Sequence, residues 1–167
     1  MRDFLFGMLF TAALLLLGAF AYLRLGEAAV NGDVAAPAWQ GRLMQFAVRK
    51  AVSRRALELK SPQLHTDAEL IAGGKDFLNA CAGCHRFSGL PRRKSVYFTP
   101  PREFALDGTD YSEPERFWII KHGIRHTGMS AYGPFYTDQK LWNLAEFVGR
   151  MKDLPPGVLQ ALKAKRN

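Results

Sequence analysis

Two cysteines and a histidine stand together near the middle of the chain, as Cys81-Ala82-Gly83-Cys84-His85. The chain has 2 cysteines in all, and this motif uses both. Thiols one helical turn apart can form thioether bonds to the two vinyl groups on one edge of a porphyrin, and the residue that follows then faces the iron. An imidazole nitrogen is a common ligand of haem iron. The motif therefore predicts one c-type haem, attached covalently to Cys81 and Cys84, with His85 as a ligand of its iron.

Other sites could use the same thiols. Cys81 and Cys84 with His122 and His126 would make C-x2-C and H-x3-H pairs of the kind that binds zinc. However, 37 residues separate the two pairs, which is far beyond the spacing of a zinc finger. A thioredoxin-like redox pair would need a βαβ unit around it, and a structural disulfide would leave the adjacent His85 unexplained.

A haem in an electron carrier usually has a second axial ligand. Five side chains could supply it: His65, His122, His126, Met129 and Met151. Met129 lies in a segment bounded by Gly128 and Pro134, and a loop can place a thioether over a flat macrocycle more easily than a helix can. The small and polar neighbours of Met129 make it an unusual core-filling residue. We expect Met129 to be the ligand, with His126 as the alternative.

Three helices are expected around these residues. Thr66 or Asp67 caps a helix that runs to about Ala80. Ser112 and Glu115 form a capping box for a helix over 113–122, which Gly123 ends. A last helix starts at Thr137 or Asp138 and reaches about Met151. No segment alternates with the period of a strand, so the fold class is all-α.

The N-terminus carries a long apolar segment. No charged residue occurs from Phe4 to Leu23, and 20 helical residues at ~1.5 Å each span ~30 Å, the thickness of a bilayer core. We expect a single membrane-spanning helix. The alternative is a cleaved signal peptide, because Ala19-Phe20-Ala21 resembles a cleavage site. Either interpretation puts the rest of the chain outside the cytoplasm, with the haem domain on the periplasmic side of the inner membrane.

A basic segment follows at residues 39–60, where Lys and Arg alternate with apolar residues. It could lie on anionic headgroups, dock a membrane complex or form a solvated connector helix. The whole chain of 167 residues has a formal net charge of +8. That charge favours acidic partners, but no base-reading motif is present, so we expect no nucleic-acid binding. Four cations after the haem motif could face an acidic redox partner: Arg86, Arg92, Arg93 and Lys94.

The central part of the chain resembles the class I c-type cytochromes. Gly73 and Phe77 precede Cys81 by eight and four residues, as in the first helix of that family, and Leu144 and Phe147 match its last helix. Residues 117–129 are similar to the segment FWxIKxGIxxTGM of a membrane-anchored bacterial subset, and Pro100-Pro101 is similar to its mid-loop proline pair. In that subset the methionine, here Met129, is the axial ligand. Ser130 departs from the pattern, which has proline there.

The resemblance implies three to four helices around one covalent haem, behind one N-terminal transmembrane helix. We expect an anchor at 1–24, a tether with the basic helix at 25–64, the haem domain at 65–154 and a basic tail at 155–167. The implied function is one-electron transfer between redox partner proteins in a respiratory or dehydrogenase-linked chain, rather than enzymatic activity by the chain alone. The alternatives are a permanent subunit of a membrane redox complex, or a haem enzyme or sensor with a labile sixth ligand.

Overall fold

The computed structural model describes residues 2–26, 37–62, 66–87 and 100–164. These residues contain no strand and form eight helices: α1 Arg2–Arg24, α2 Ala38–Ala56, α3 Asp67–Ala80, α4 Ala82–His85, α5 Phe104–Asp107, α6 Glu113–His122, α7 Asp138–Arg150 and α8 Pro156–Ala164. The predicted all-α class is confirmed. Four residues of the sequence analysis lie outside the described residues: the candidate axial ligand His65 and the cations Arg92, Arg93 and Lys94.

The chain divides into two compact units, Met1–Ala36 and Pro37–Asn167. The described part of the first unit is α1, which contains the predicted span from Phe4 to Leu23 and buries none of its residues. This helix of 23 residues is long and apolar enough to cross a membrane.

The second unit is organised around the contact between α3 and α7. Thr66 caps α3, with its backbone N–H donating to the carboxylate of Glu69 at 2.9 Å, and Thr137 caps α7. The rings of Phe77 and Phe147 meet between the two helices with centroids 5.5 Å apart. Both phenylalanines are fully buried, so α3 and α7 supply the centre of the apolar core.

Gly73 lets the two helices approach closely. A Cβ at this position would lie far inside contact distance of the Asn143 carbonyl oxygen, and 3.1 Å from the Phe147 Cβ. Only a residue without a side chain fits such an approach. The first and last helices of the domain therefore cross near Gly73.

Helix α6 packs on the other side of α7 and is joined to it by Arg116. The Arg116 Nε donates to the Ala145 carbonyl oxygen at 2.6 Å, and its Nη2 lies 3.8 Å from the Glu146 carboxylate. Gly149 provides the space, because a Cβ there would lie 2.6 Å from the Arg116 Cζ. The buried charge is therefore paired and hydrogen-bonded, as burial requires.

Two helices differ from the sequence-based expectation. Helix α2 begins at Ala38, directly after Pro37, and ends at Ala56, although the uninterrupted basic pattern extends to Lys60. Residues 155–167 were expected to be a basic tail, but Pro156–Ala164 forms α8, with Val158 and Leu162 buried. Leu162 packs over α3, where a Cβ on Gly74 would lie 2.6 Å from its Cδ1.

We predict that Gly73→Ala destabilises the domain by about 1–3 kcal/mol, because the added methyl group overpacks the contact between α3 and α7. Unfolding of the detergent-solubilised protein by guanidinium, followed by circular dichroism, measures the change. Gly157→Ala is the matched control, because a Cβ at that helical position meets nothing within 4 Å. Equal stability of the two variants would contradict the close approach.

Candidate haem-binding site

The Cys-x-x-Cys-His motif forms one helical turn directly after α3. Cys81 is both the C-terminal cap of α3 and the N-terminal cap of α4. Its carbonyl oxygen accepts hydrogen bonds from the backbone N–H groups of Cys84 at 3.1 Å and His85 at 2.9 Å. Residues three apart in such a turn lie on the same side, so the two thiols can serve one ligand. Neither cysteine is in a disulfide.

The imidazole of His85 is held by a backbone carbonyl group. Its Nδ1 lies 3.0 Å from the carbonyl oxygen of Arg102. Since a carbonyl can only accept, Nδ1 carries the proton and Nε2 keeps a lone pair for a metal. The ring of Phe104 stacks on the imidazole at 4.7 Å and restricts its rotation. Burial lowers the pKa of His85, with the hydrogen bond to Arg102 opposing it, so the ring is neutral at pH 7.

Met129 lies in a tight loop after α6. Gly123 ends the helix with φ +67, and the carbonyl oxygen of Met129 accepts a hydrogen bond from the Ile124 N–H at 3.0 Å. The Met129 N–H donates to the Thr127 hydroxyl at 3.1 Å. The side chain of Met129 packs against the apolar core, as does that of Cys81. Met129 and Cys81 therefore contact the same apolar core cluster.

The other candidate axial ligands are placed differently. The side chain of His126 is exposed, on a backbone with φ 60. His122 is also exposed and lies beside the Trp118 ring, with centroids 4.8 Å apart. Met151 is a buried core residue at the C-terminal cap of α7. Among the candidates that the structure describes, Met129 is the one that combines a loop position with contact to the core.

The zinc and redox alternatives for the thiols find no support in this arrangement. Within the described ranges, which include all four residues of the zinc hypothesis, no group of three or more His, Cys, Asp or Glu side chains could hold a metal ion. Burial, Asp76 and the neighbouring Cys84 raise the pKa of Cys81 to about 11. This thiol stays protonated at neutral pH and lacks the lowered pKa of a catalytic redox cysteine.

Arg86 completes the chemistry of the site. It follows His85 directly, and its Nη1 is buried without a hydrogen-bond partner among the described residues. A buried donor on a cation suits an anionic ligand, and a haem carries two carboxylates. The site thus combines a thiol pair, a neutral imidazole, a thioether and a cation with the apolar core of the domain. Phe87 belongs to this core, and the centroid of its ring lies 6.3 Å from that of Phe147. The donor set fits a covalent haem.

Some features of the site were not predicted from the sequence. The carbonyl group that orients His85 belongs to Arg102, and a backbone oxygen leaves no signal in residue type. The adjacent Pro100-Pro101 pair was the available signal, since two prolines restrict the chain just before that carbonyl. Phe104 was likewise missed, because the three helices expected from the sequence do not include helix α5, which begins at this residue.

Residues 68–148 match the family model described as Cytochrome C oxidase, cbb3-type, subunit III. Comparisons with curated proteins and with solved structures gave no match. The matched range contains the thiol motif, the Met129 loop and the crossing of α3 with α7 at Gly73. With the all-helical fold, this match identifies residues 68–148 as the domain of a class I c-type cytochrome, which binds haem c covalently and transfers electrons.

Proposed function

We propose that this chain is a membrane-tethered one-electron carrier in which Cys81 and Cys84 hold one haem, with His85 and Met129 as its axial ligands. The observation that carries the proposal is that the chain offers two neutral ligand side chains, and that backbone groups hold each of them through hydrogen bonds. The Nδ1 of His85 lies 3.0 Å from the Arg102 carbonyl oxygen, and the Met129 backbone bonds to Ile124 and Thr127.

The haem supplies a one-electron iron couple, and the residues of the chain determine its surroundings. His85 needs no proton transfer to act as a ligand, because its Nε2 is already free. Met129 is uncharged in both redox states, and a thioether ligand favours a raised reduction potential. Because both axial positions are filled in this proposal, the chain binds no substrate at the iron. The apolar core beside the ligands would exclude water, so the effect of nearby charges on the iron would stay large.

We further propose that residues 1–24 anchor the chain in the inner membrane and that the haem domain, residues 65–154, lies on the periplasmic side. The apolar helix α1 supports the anchor, and thioether attachment of haem supports a location outside the cytoplasm. Residues 25–64 then connect the two parts, and residues 155–167 complete the domain through α8. Redox partners of this domain would meet a small surface near the haem edge.

A second candidate is a permanent subunit of a membrane oxidase complex, because the matched family model describes a subunit of a cbb3-type oxidase. Purification from native membranes in a mild detergent distinguishes the two functions. A free carrier should elute alone and exchange electrons with added redox proteins at a rate that depends on ionic strength. Elution at constant stoichiometry with other haem proteins, with no exchange, would support the subunit instead.

Substitution of the proposed sulfur ligand tests the coordination. We expect Met129→Ala to abolish the weak sulfur-to-iron charge-transfer band of the oxidised protein and to lower the reduction potential, because the iron loses its thioether. His126→Ala is the control, since this exposed imidazole lies three residues away in the same loop and should leave the spectrum unchanged. Absence of this band from the unsubstituted protein, with a haem spectrum that changes in His126→Ala and not in Met129→Ala, would transfer the ligand role to that histidine.

Arg86 should raise the reduction potential of the haem. A partly buried cation beside the proposed haem would disfavour the additional positive charge of the oxidised state. We therefore predict that Arg86→Gln lowers the potential by several tens of millivolts, on the order of 1 kcal/mol, whereas Arg86→Lys retains most of it. Potentiometric titration of the membrane-reconstituted protein measures both variants. An unchanged potential in Arg86→Gln would place this guanidinium away from the haem.

A further inference from the structure

Helix α2 packs against the haem domain through one face only. Val52 and Ala56 are buried in its contact with α6. On the same side, the Ser53 hydroxyl donates to the Glu115 carboxylate, and Arg49 lies 3.7 Å from the Asp110 carboxylate. These contacts occupy the C-terminal half of the helix and fix its rotation about its own axis.

An adjoining side of α2 carries an apolar and basic stripe that no described residue covers. Its members recur at intervals of three or four and fall within an arc of about 80° on a helix with 100° per residue. Trp39 is 62% exposed, Phe46 61% and Leu57 80%. We call this set the outer stripe: Trp39, Leu43, Phe46, Lys50 and Arg54, together with Leu57 at the C-terminal cap of α2. Large apolar side chains exposed in one row indicate a surface that a membrane or another molecule covers.

The charge of α2 is of one sign. The helix has no acidic residue and five cations: Arg42, Arg49, Lys50, Arg54 and Arg55. Arg49 is paired with Asp110, and Arg55 lies over the Trp118 ring at 5.8 Å. The other three form no ion pair with another described residue, and the Nζ of Lys50 lies 5.8 Å from the centroid of the Phe46 ring. Positive charge is therefore available beside the exposed aromatic groups.

We propose that the outer stripe of α2 lies in the headgroup region of an anionic bilayer, with its aromatic and leucine side chains toward the acyl chains. Aromatic residues beside Lys and Arg are the composition of a helix that lies in the plane of a membrane surface. A protein partner fits less well, because the centres of protein interfaces are depleted in lysine, whereas Lys50 lies in the middle of the stripe. A lysine there can extend its ammonium group to the phosphates while its stem remains in apolar surroundings.

The covalent connection to α1 strengthens such binding. Residues 25–37 separate the end of α1 at Arg24 from the start of α2 at Ala38. If α1 is inserted in a membrane, this short segment keeps α2 near the same surface, so the docking of α2 becomes an intramolecular step. Because the other face of α2 is bound to α6, docking would restrain the orientation of the haem domain.

The test measures protection of single cysteines in the full-length, haem-loaded protein. The 2 native cysteines are consumed by haem attachment, so an introduced thiol reacts alone. Leu43→Cys reports on the outer stripe. Gln45→Cys is the matched control, because Gln45 is exposed on the same helix but about 200° away around its axis. Modification by an uncharged maleimide is followed by mass spectrometry in nanodiscs of phosphatidylcholine, with or without phosphatidylglycerol.

In anionic nanodiscs we expect the Leu43→Cys thiol to react at least ~10-fold more slowly than the Gln45→Cys thiol, because the bilayer excludes the water in which thiolates form. Adding Lys50→Gln and Arg54→Gln should lower the ratio of docked to undocked helix ~25-fold, at ~5-fold for each cation, and restore the rate. Lys152→Gln with Lys163→Gln removes the same charge from exposed positions elsewhere and should leave the protection intact. The haem spectrum should not change in any of these proteins.

Equal modification rates for the two thiols in anionic nanodiscs would overturn the proposal. Protection of the Leu43→Cys thiol in native membranes but not in nanodiscs would also overturn it and assign the outer stripe to a protein partner. Protection that is the same without phosphatidylglycerol and without the two cations would also overturn it, because recognition would then not depend on anionic lipid. None of these outcomes depends on which residue is the sixth ligand of the haem, so the failure of this proposal is distinguishable from failure of the proposed function.

Discussion

The close approach of α3 and α7 at Gly73 determines where the proposed haem-attachment turn lies. A side chain at this position would collide with the Asn143 carbonyl oxygen, so the backbones of the two helices meet directly. Phe147 is one turn further along α7 and reaches both Phe77 and Phe87, which lie before and after the thiol motif. Cys81 lies eight residues after Gly73, ~12 Å along the helix axis. Its position relative to the core therefore follows from a single helix contact.

The two proposed axial ligands are held by different means. His85 lies in a helical turn whose backbone is bonded to Cys81, and a carbonyl group from a distant segment, at Arg102, fixes its ring. Met129 lies in a loop, where bonds to Ile124 and Thr127 take the place of a helix. The loop has little freedom at its start, because a Cβ on Gly123 would lie 2.7 Å from the Met129 carbonyl oxygen. These backbone contacts can hold the loop even though Ser130 replaces the family's proline.

Local signals in the sequence predicted α3, α6 and α7 well. Their ends are set by capping residues such as Thr66, Ser112 and Thr137, whose hydrogen bonds involve neighbours within the same turn. Helix α8 was missed because residues 155–167 were expected to be a basic tail, although a proline such as Pro156 is favoured in the first turn of a helix. Its burial depends on α3, whose side chains are distant in sequence. The ligand types were visible in the motif, but the partner of His85 is a backbone atom and was not.

A carrier on a membrane tether gains a high local concentration of partners in the same membrane and loses freedom to present its haem edge to them. The described contacts between the tether region and the domain include the packing of α2 on α6 and the ion pair of Arg49 with Asp110, so the surface of α2 influences this balance. A purely solvated connector would expose polar side chains all round. Instead α2 exposes Trp39, Leu43 and Phe46 in one row, at a cost in solubility that burial against lipid would remove. The sequence of α2 is therefore better suited to orient the domain at a surface than to serve as a simple spacer.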